Sequence, residues 1–290
     1  MQPGNLQPST FNLGLIGYPL GHSLSPKIHT AALKACRLQG DYSLFPIPPE
    51  DKQALQDLLI RVRSGEIHGL NVTIPHKQNV IEFMDELTST AQAIGAVNTI
   101  YMRGDKLIGD NTDAPGFLSD MKQFIGNRES GIGKSAIVLG AGGSARAVVY
   151  ALANDGWNVT ISARRIEQAQ QLVDSVAGYR LQVAGYSNLQ SSTFDIQLST
   201  FNLIVNTTPL GMTPNTETSP LPDNTIFSKH TFVYDLVYNP RETKLVRDVR
   251  ALGLNASTGL GMLIEQAALA FETWTGYNPP RDILYQAIEP

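Results

Sequence analysis

The chain has 290 residues, enough for two domains that each bury a core of their own. With 42% hydrophobic residues, 17% charged residues and a net charge of −4, it reads as an ordinary globular protein with no basic footprint for nucleic acid or an anionic membrane. Cys36 is its single cysteine, so no intrachain disulfide can form and a reducing compartment is expected.

Cys36 lies in ALKACRL and reads as core filler rather than a nucleophile. No lysine or arginine precedes Lys27, so neither a signal peptide nor a transit peptide is expected. No apolar run approaches the roughly 18 residues of a membrane span. The expectation is a soluble, cytoplasmic protein.

FNLGLIG reads as a buried strand, PKIHTAALKACRL as a helix and YSLFPI as a second strand. Ser25 before Pro26 has the form of an N-cap and first helical position. From Glu50 to Arg63 a helix is expected, with Leu55, Leu58, Leu59 and Val62 on one face and Gly65 ending it. IHGLNVT is the third strand. A further helix is expected toward Met84, and Ser89 with Gln92 fits a capping box before AIGAV. This alternation predicts an α/β fold with an open, largely parallel sheet.

Gly, Asn, Asp and Pro cluster in GDNTDAPGF, residues 109–117, where a crossing between halves is expected. A second α/β unit follows. KSAIVL is a strand, SARAVVYALAND a helix, Gly156 a turn and NVTIS a strand. FNLIV and TFVYDLV are later strands that each run into a loop rich in Pro, Gly or Asn.

The glycine loop of this second unit carries chemistry. Gly140, Ala141, Gly142, Gly143, Ser144 and Ala145 fit G-x-G-x-x-G/A between a strand and a helix. Gly140 permits the tight turn, Gly142 lets backbone approach a pyrophosphate, and the helix N-terminus adds N–H donors and partial positive charge. A dinucleotide site is expected. At the end of the next strand an NAD site would place Asp or Glu, but this chain has Ala163-Arg164-Arg165-Ile166. Two guanidinium groups and no acid suit the 2′-phosphate of NADP. Arg165 could equally be a solvated residue at a helix start.

In GLNVTIPHKQN a β-rich run is cut by Pro75, and Lys77 comes two residues later. By residue type alone it is either a solvated loop cation or an amine placed for proton transfer. The histidines at 22, 29, 68, 76 and 230 have no metal-ligand spacing, so no metal is expected, and His76 reads as an incidental neighbour of Lys77.

Several blocks occur in one order along nearly the whole chain: GHSLSPKIH, NVTIPHK, GAVNT, GDNTDAPGF, GAGGSARA, NTTPLGM, YDLVYNP and GLGMLIEQAA. Together they make the sequence resemble the shikimate dehydrogenase family, whose members reduce 3-dehydroshikimate with NADPH in the pathway to chorismate and the aromatic amino acids. The resemblance implies a substrate domain over 1–114, completed by C-terminal helices over 261–290. It also implies a Rossmann-type NADP domain over 115–260, with a cleft separating the two.

The resemblance further implies that Lys77 and Asp113 act together beside the reacting hydroxyl. Ser23, Ser25 and Tyr238 match carboxylate-binding hydroxyls. Asn71, Thr73, Asn98 and Gln266 match positions that hold ring hydroxyls. Thr207, Leu236 and Gly259 match positions at the cofactor, the last two near its nicotinamide. The family often has Asn-Arg-Thr after the second Rossmann strand with another Arg beyond, where this chain has Ala163-Arg164-Arg165 and then Gln168. The phosphate grip is therefore rearranged.

Oxidising a secondary alcohol moves a hydride to nicotinamide and a proton to a base. A neutral lysine amine can take that proton and its ammonium return it, so one lysine serves both directions. The alternatives are an NAD-dependent quinate/shikimate dehydrogenase, for which an acid would be expected where Ile166 stands, a folate-pathway dehydrogenase of the same plan, and a non-catalytic ligand sensor that kept the fold. The expected partner is a small polyhydroxy acid, and a monomer and a homodimer are both compatible with the sequence.

Overall fold

The computed structural model describes residues 10–126, 133–176, 180–185 and 197–289. The chain divides into two compact units, Met1–Thr112 with Ile264–Pro290, and Asp113–Leu263.

The first unit opens with β1 (Phe11–Gly17), α1 (Ser25–Ala35), β2 (Gly40–Pro46), α2 (Lys52–Arg63) and β3 (Gly69–Val72). A 3₁₀ turn at Ile81–Phe83 comes next, then β4 (Glu86–Leu87), α3 (Ser89–Ile94), β5 (Thr99–Arg103) and β6 (Lys106–Asp110). The sheet order is β2-β1-β3-β5-β6-β4. β1 pairs in parallel with β2 and β3, while β5 runs antiparallel to both β3 and β6. β4 again pairs in parallel with β6, so the largely parallel arrangement is interrupted at β5 alone. The short connection from β5 to β6, with Gly104 at φ 65°, is a hairpin and cannot be a crossover.

Asp51 caps α2, its side chain accepting from Ala54 N at 3.0 Å, and Leu55, Leu58, Leu59 and Val62 are buried on one face. They join Ile16, Leu70, Val72, Ile100 and Leu107 in one core cluster. Three local expectations are corrected. Leu24, not Ser25, is the N-cap of α1, with Pro in its first turn. Thr88, not Ser89, caps α3, its hydroxyl accepting from Ala91 N at 3.2 Å, so Gln92 lies one position beyond a capping box. The helix expected toward Met84 is a run of turns ending in the 3₁₀ segment. Pro75 removes a backbone donor there, and no helix forms before Ile81.

The second unit holds α4 (Asp113–Ile125), β7 (Ser135–Leu139), α5 (Gly143–Asn154), β8 (Asn158–Ala163), α6 (Ile166–Ser175) and β9 (Leu181–Gly185). After these come β10 (Leu203–Asn206), β11 (Phe232–Asp235), α7 (Lys244–Ala251) and β12 (Asn255–Thr258). Its sheet is wholly parallel in the order β12-β11-β10-β7-β8-β9. Read from the other edge, that is the 3-2-1-4-5-6 order of a dinucleotide-binding fold. β7, β10 and β11 are buried nearly throughout, as strands covered on both faces must be.

From this unit α8 (Leu260–Thr275) carries the chain back to the first, and α9 (Arg281–Ala287) ends it. Within the first unit Trp274 Nε1 donates to Ile100 O at 3.2 Å. Its ring occupies the space where a Cβ on Gly69 would lie, 2.4 Å from the nearest ring atoms. That glycine is required by close approach. Among the described residues no helix is long and apolar enough to cross a membrane, and no group of His, Cys, Asp or Glu could hold a metal. Cys36 is half-buried at the end of α1, where burial pushes its thiol up.

His29 on α1 is fully buried, stacked 4.4 Å from Tyr42 and close to Trp274. Burial drives its pKa down to about 3, against a smaller opposing pull from the Asn71 side chain. Neither ring nitrogen meets a partner at hydrogen-bond geometry, so nothing there favours the second proton of the charged ring. The unfolded chain thus binds this proton more readily than the folded one, and stability contributed by neutral His29 is lost as pH falls from about 6.5 toward 3. Buried Asp235 acts in the opposite sense. Its pKa is pushed up to about 6, so its contribution grows as pH falls through 6 toward the ordinary value.

His29→Phe keeps the stack and removes one titration while leaving the other. At about 1.4 kcal/mol per unit, the stability of wild type relative to His29→Phe should drop by about 2 kcal/mol between pH 7 and pH 5. Urea unfolding of both proteins at each pH measures it. Parallel pH profiles would show that His29 is not the acid-sensitive group.

Candidate active site

In the first unit the expected residues gather at one end of the sheet. β1 and β3 are parallel neighbours, so the loops after them leave from the same edge. Thr73 N donates to Ile16 O at 2.8 Å and Tyr18 N to Ile74 O at 2.9 Å, lacing the two exits together. β5 enters at that end and β6 leaves from it, since Asn71 pairs with Thr99 and Thr99 with Asp110. Val97 N donates to Lys77 O at 2.7 Å, which fixes the lysine's backbone against the segment preceding Asn98.

Asn71 and Asn98 are buried and joined by a directed chain of hydrogen bonds. The Tyr42 hydroxyl donates to Asn71 Oδ1 at 2.8 Å, and Asn71 Nδ2 donates to the Asn98 carbonyl at 3.3 Å. A backbone carbonyl only accepts, so the Asn71 amide has one orientation. Asn98 Oδ1 accepts from Thr112 N at 2.7 Å and from the Thr99 hydroxyl at 2.9 Å. Its Nδ2 donates to Thr112 Oγ1 at 3.0 Å and reaches Gln266 Oε1 at 3.4 Å. Gln266 thus comes from α8 to the same place, 168 residues along the chain from Asn98. Asn98 also anchors Thr112, the residue immediately before Asp113.

Ser25 is buried on α1 beside the Tyr42 phenol. Burial raises that phenol's pKa and keeps it protonated. Ser23, one residue before the Leu24 N-cap, accepts from Ser25 N at 3.3 Å. Thr73 and Lys77 are half-buried. His76 is buried, its Nε2 2.6 Å from Ile47 O, so it pins the lysine's loop from beneath. Tyr42, Thr99 and Thr112 escaped the sequence reading, although polar side chains at inward positions of a buried strand or its exit are the signal that marks them.

In the second unit Asp113 is buried in the first turn of α4, and Tyr238 is half-buried with its phenol pushed up by burial. The expected cofactor residues stand after the carboxyl ends of the strands: Gly140 after β7, Arg164 after β8, Thr207 after β10, Leu236 after β11 and Gly259 after β12. The sheet order reverses between β7 and β10, which is where an open parallel sheet binds its ligand. Gly140 has φ 112°, and a Cβ there would lie 2.5 Å from Thr207 Oγ1. Thr207 in turn donates its hydroxyl to Leu139 O at 2.7 Å.

No atom lies within 4 Å of a Cβ placed on Gly142, and the N-terminus of α5 starts beside it. That is a cradle a pyrophosphate fits. Ala141, Gly143 and Ser144 complete it, half-buried at its rim, and Ala145 is buried beneath. Gly259 packs on the next loop, since a Cβ there would stand 2.2 Å from Leu236 O. Arg164 and Arg165 are exposed, Arg165 as the N-cap of α6.

Fold and site together define an α/β enzyme of the dinucleotide-dependent class, with a Rossmann-type half and a second half that presents buried amides at a sheet edge. Residues 15–100 match the family model described as the shikimate dehydrogenase substrate binding domain. Residues 126–209 match the model for shikimate / quinate 5-dehydrogenase, and residues 259–289 that for the shikimate 5′-dehydrogenase C-terminal domain. The chain belongs to the shikimate dehydrogenase family.

It is 41% identical to the shikimate dehydrogenase (NADP(+)) of Symbiobacterium thermophilum over 277 residues, 95% of this chain and 92% of that one. It is also 41% identical to that of Salinibacter ruber over 98% of both chains. Its structure matches the crystal structure of shikimate 5-dehydrogenase from Thermus thermophilus, solved with NADP(H) and shikimate, with a TM-score of 0.81 and 35% identity over 96% of this chain and 98% of that one.

Proposed function

We infer that this chain is an oxidoreductase of the shikimate pathway that reversibly reduces 3-dehydroshikimate to shikimate with NADPH. The observation that carries the reading is identity of 41% over nearly its whole length to relatives named for that activity and cofactor. NADPH supplies the hydride when bound. The protein's own part is to bind, to orient and to move one proton.

Lys77 is the group proposed to give and take that proton at the reacting oxygen, with Asp113 as its acidic partner. Ser23, Ser25 and Tyr238 are the proposed carboxylate ligands. Thr73, Asn71, Asn98 and Gln266 are the proposed ring-hydroxyl ligands, and their support is the fixed amide orientation at Asn71 and the meeting of Asn98 with Gln266. Gly140 to Ala145, Thr207, Leu236 and Gly259 would hold the dinucleotide, and Arg164 and Arg165 its 2′-phosphate. We assign 1–114 with 261–290 to substrate and 115–260 to NADP, in a cytoplasmic monomer or homodimer.

The test crosses shikimate and quinate with NADP and NAD, following absorbance of the reduced cofactor. Shikimate with NADP should be the fastest pair. Folded protein that turns over shikimate with neither cofactor would end the reading.

A further inference from the structure

One buried carboxylate, itself assigned no contact with substrate or cofactor, ties together two of the loops proposed to hold the dinucleotide. Asp235 ends β11 with no exposed surface. Its Oδ1 accepts from Asn206 Nδ2 at 2.8 Å and from Val237 N at 3.1 Å, and its Oδ2 accepts from the Thr243 hydroxyl at 2.6 Å. Asn206 is equally buried and stands in register with Asp235 at the end of the neighbouring β10. Asn206 Oδ1 accepts from Thr208 N at 2.9 Å and from the Thr208 hydroxyl at 2.7 Å. On one side the carboxylate therefore sets the loop beginning at Thr207, through Asn206. On the other it sets the turn containing Leu236 directly.

We propose that Asp235 is a positioning residue for the dinucleotide, holding the Thr207 loop and the Leu236 turn at one spacing so that both meet the cofactor together. The proposal rests on the reading of this sheet end as the NADP site. Three donors converge on the carboxylate and it has none to offer when ionised, so each bond is made as a charge-assisted one. An amide of the same shape would turn one N–H against those donors. A buried donor left without a partner disturbs the group that carries it, and here one donor lies in the Leu236 turn and another, on Asn206, holds the Thr207 loop. The third, on Thr243, belongs to the cap of α7, where Thr243 also accepts from Val246 N.

That asymmetry supplies the test. NADPH is titrated by its fluorescence against wild type, Asp235→Asn, Thr208→Val and Thr243→Val, with thermal unfolding of each. Asp235→Asn should weaken NADPH binding by about tenfold or more, and Thr208→Val, which loosens only the Thr207 loop, by a smaller factor. Thr243→Val should lower the melting temperature but keep the NADPH Kd within about twofold of wild type.

Folded Asp235→Asn with wild-type affinity would overturn the proposal, as would an equal loss of affinity in Thr243→Val. If Asp235→Asn does not fold, unchanged affinity in Thr208→Val overturns it. Wild type that fails to bind NADPH would instead bring down the NADP reading, and this inference with it.

Discussion

Lys77→Ala should lower kcat by roughly 10²–10⁴-fold, the usual contribution of a positioned acid–base group, while the shikimate KM moves much less. The split comes from the separate duties of its neighbours. Substrate orientation is assigned to Asn71, Asn98 and Gln266, whose amides are tied to one another and to Thr112. The lysine's loop is held by backbone, through Val97 N to Lys77 O, and by buried His76 beneath it. Truncating the side chain therefore removes an amine and leaves the loop in place. Steady-state kinetics with shikimate and NADP gives the answer. Near-normal kcat with a raised shikimate KM would make Lys77 a binding residue instead. Asp113→Asn should lower kcat as well, by an amount set by how much of the proton that carboxylate carries.

The elements most legible in the sequence are those whose signal is local. The α2 stripe at Leu55, Leu58, Leu59 and Val62 announces its buried face, and Gly140 to Ala145 announces a strand–loop–helix turn because φ 112° at Gly140 admits little else. The arginine pair after β8 is equally local. What escaped depends on partners far apart in the chain. The pairing of Asn98 with Gln266 spans 168 residues, and that of Tyr42 with Asn71 spans 29.

Nothing in either neighbourhood says which amide hydrogen faces which carbonyl. The errors at caps have the same origin. Ser25 precedes a proline and Ser89 precedes Gln92, so both satisfy a pattern. The chain enters each helix one residue earlier because Leu24 and Thr88 already stand where the turn begins. The antiparallel β5–β6 hairpin was missed because apolar alternation marks a strand and not its direction. The proposed catalytic residues were named through the family's ordered blocks, since an isolated lysine after a proline carries no chemistry of its own.

Arg164→Ala should weaken NADP binding by roughly 10- to 150-fold and leave the weaker NAD binding nearly unchanged. That range is the worth of a hydrogen bond to a charged group, about 1.5–3 kcal/mol, with each ~1.4 kcal/mol a factor of ten. β8 ends at Ala163, so Arg164 is the first residue beyond the strand after the glycine loop, where the adenosine ribose of a dinucleotide ends. No carboxylate stands among Arg164, Arg165 and Ile166 to repel a phosphate or to bind a ribose hydroxyl in its place. The next position that the family often makes an arginine is here Gln168, half-buried in the first turn of α6. More of the phosphate's binding therefore falls on Arg164. Arg165 caps α6 with extended backbone, φ −105° and ψ 99°, and its carbonyl already accepts from Gln168 N at 3.1 Å. Its backbone is committed to starting the helix, so Arg165→Ala should act in the same direction but by less. Both guanidinium groups are exposed, so the attraction is screened and added salt should narrow the NADP advantage. Titrating NADP and NAD against wild type and each variant, at low and high salt, decides the matter. Equal losses for the two cofactors would mean that the arginines support the loop and do not read the phosphate.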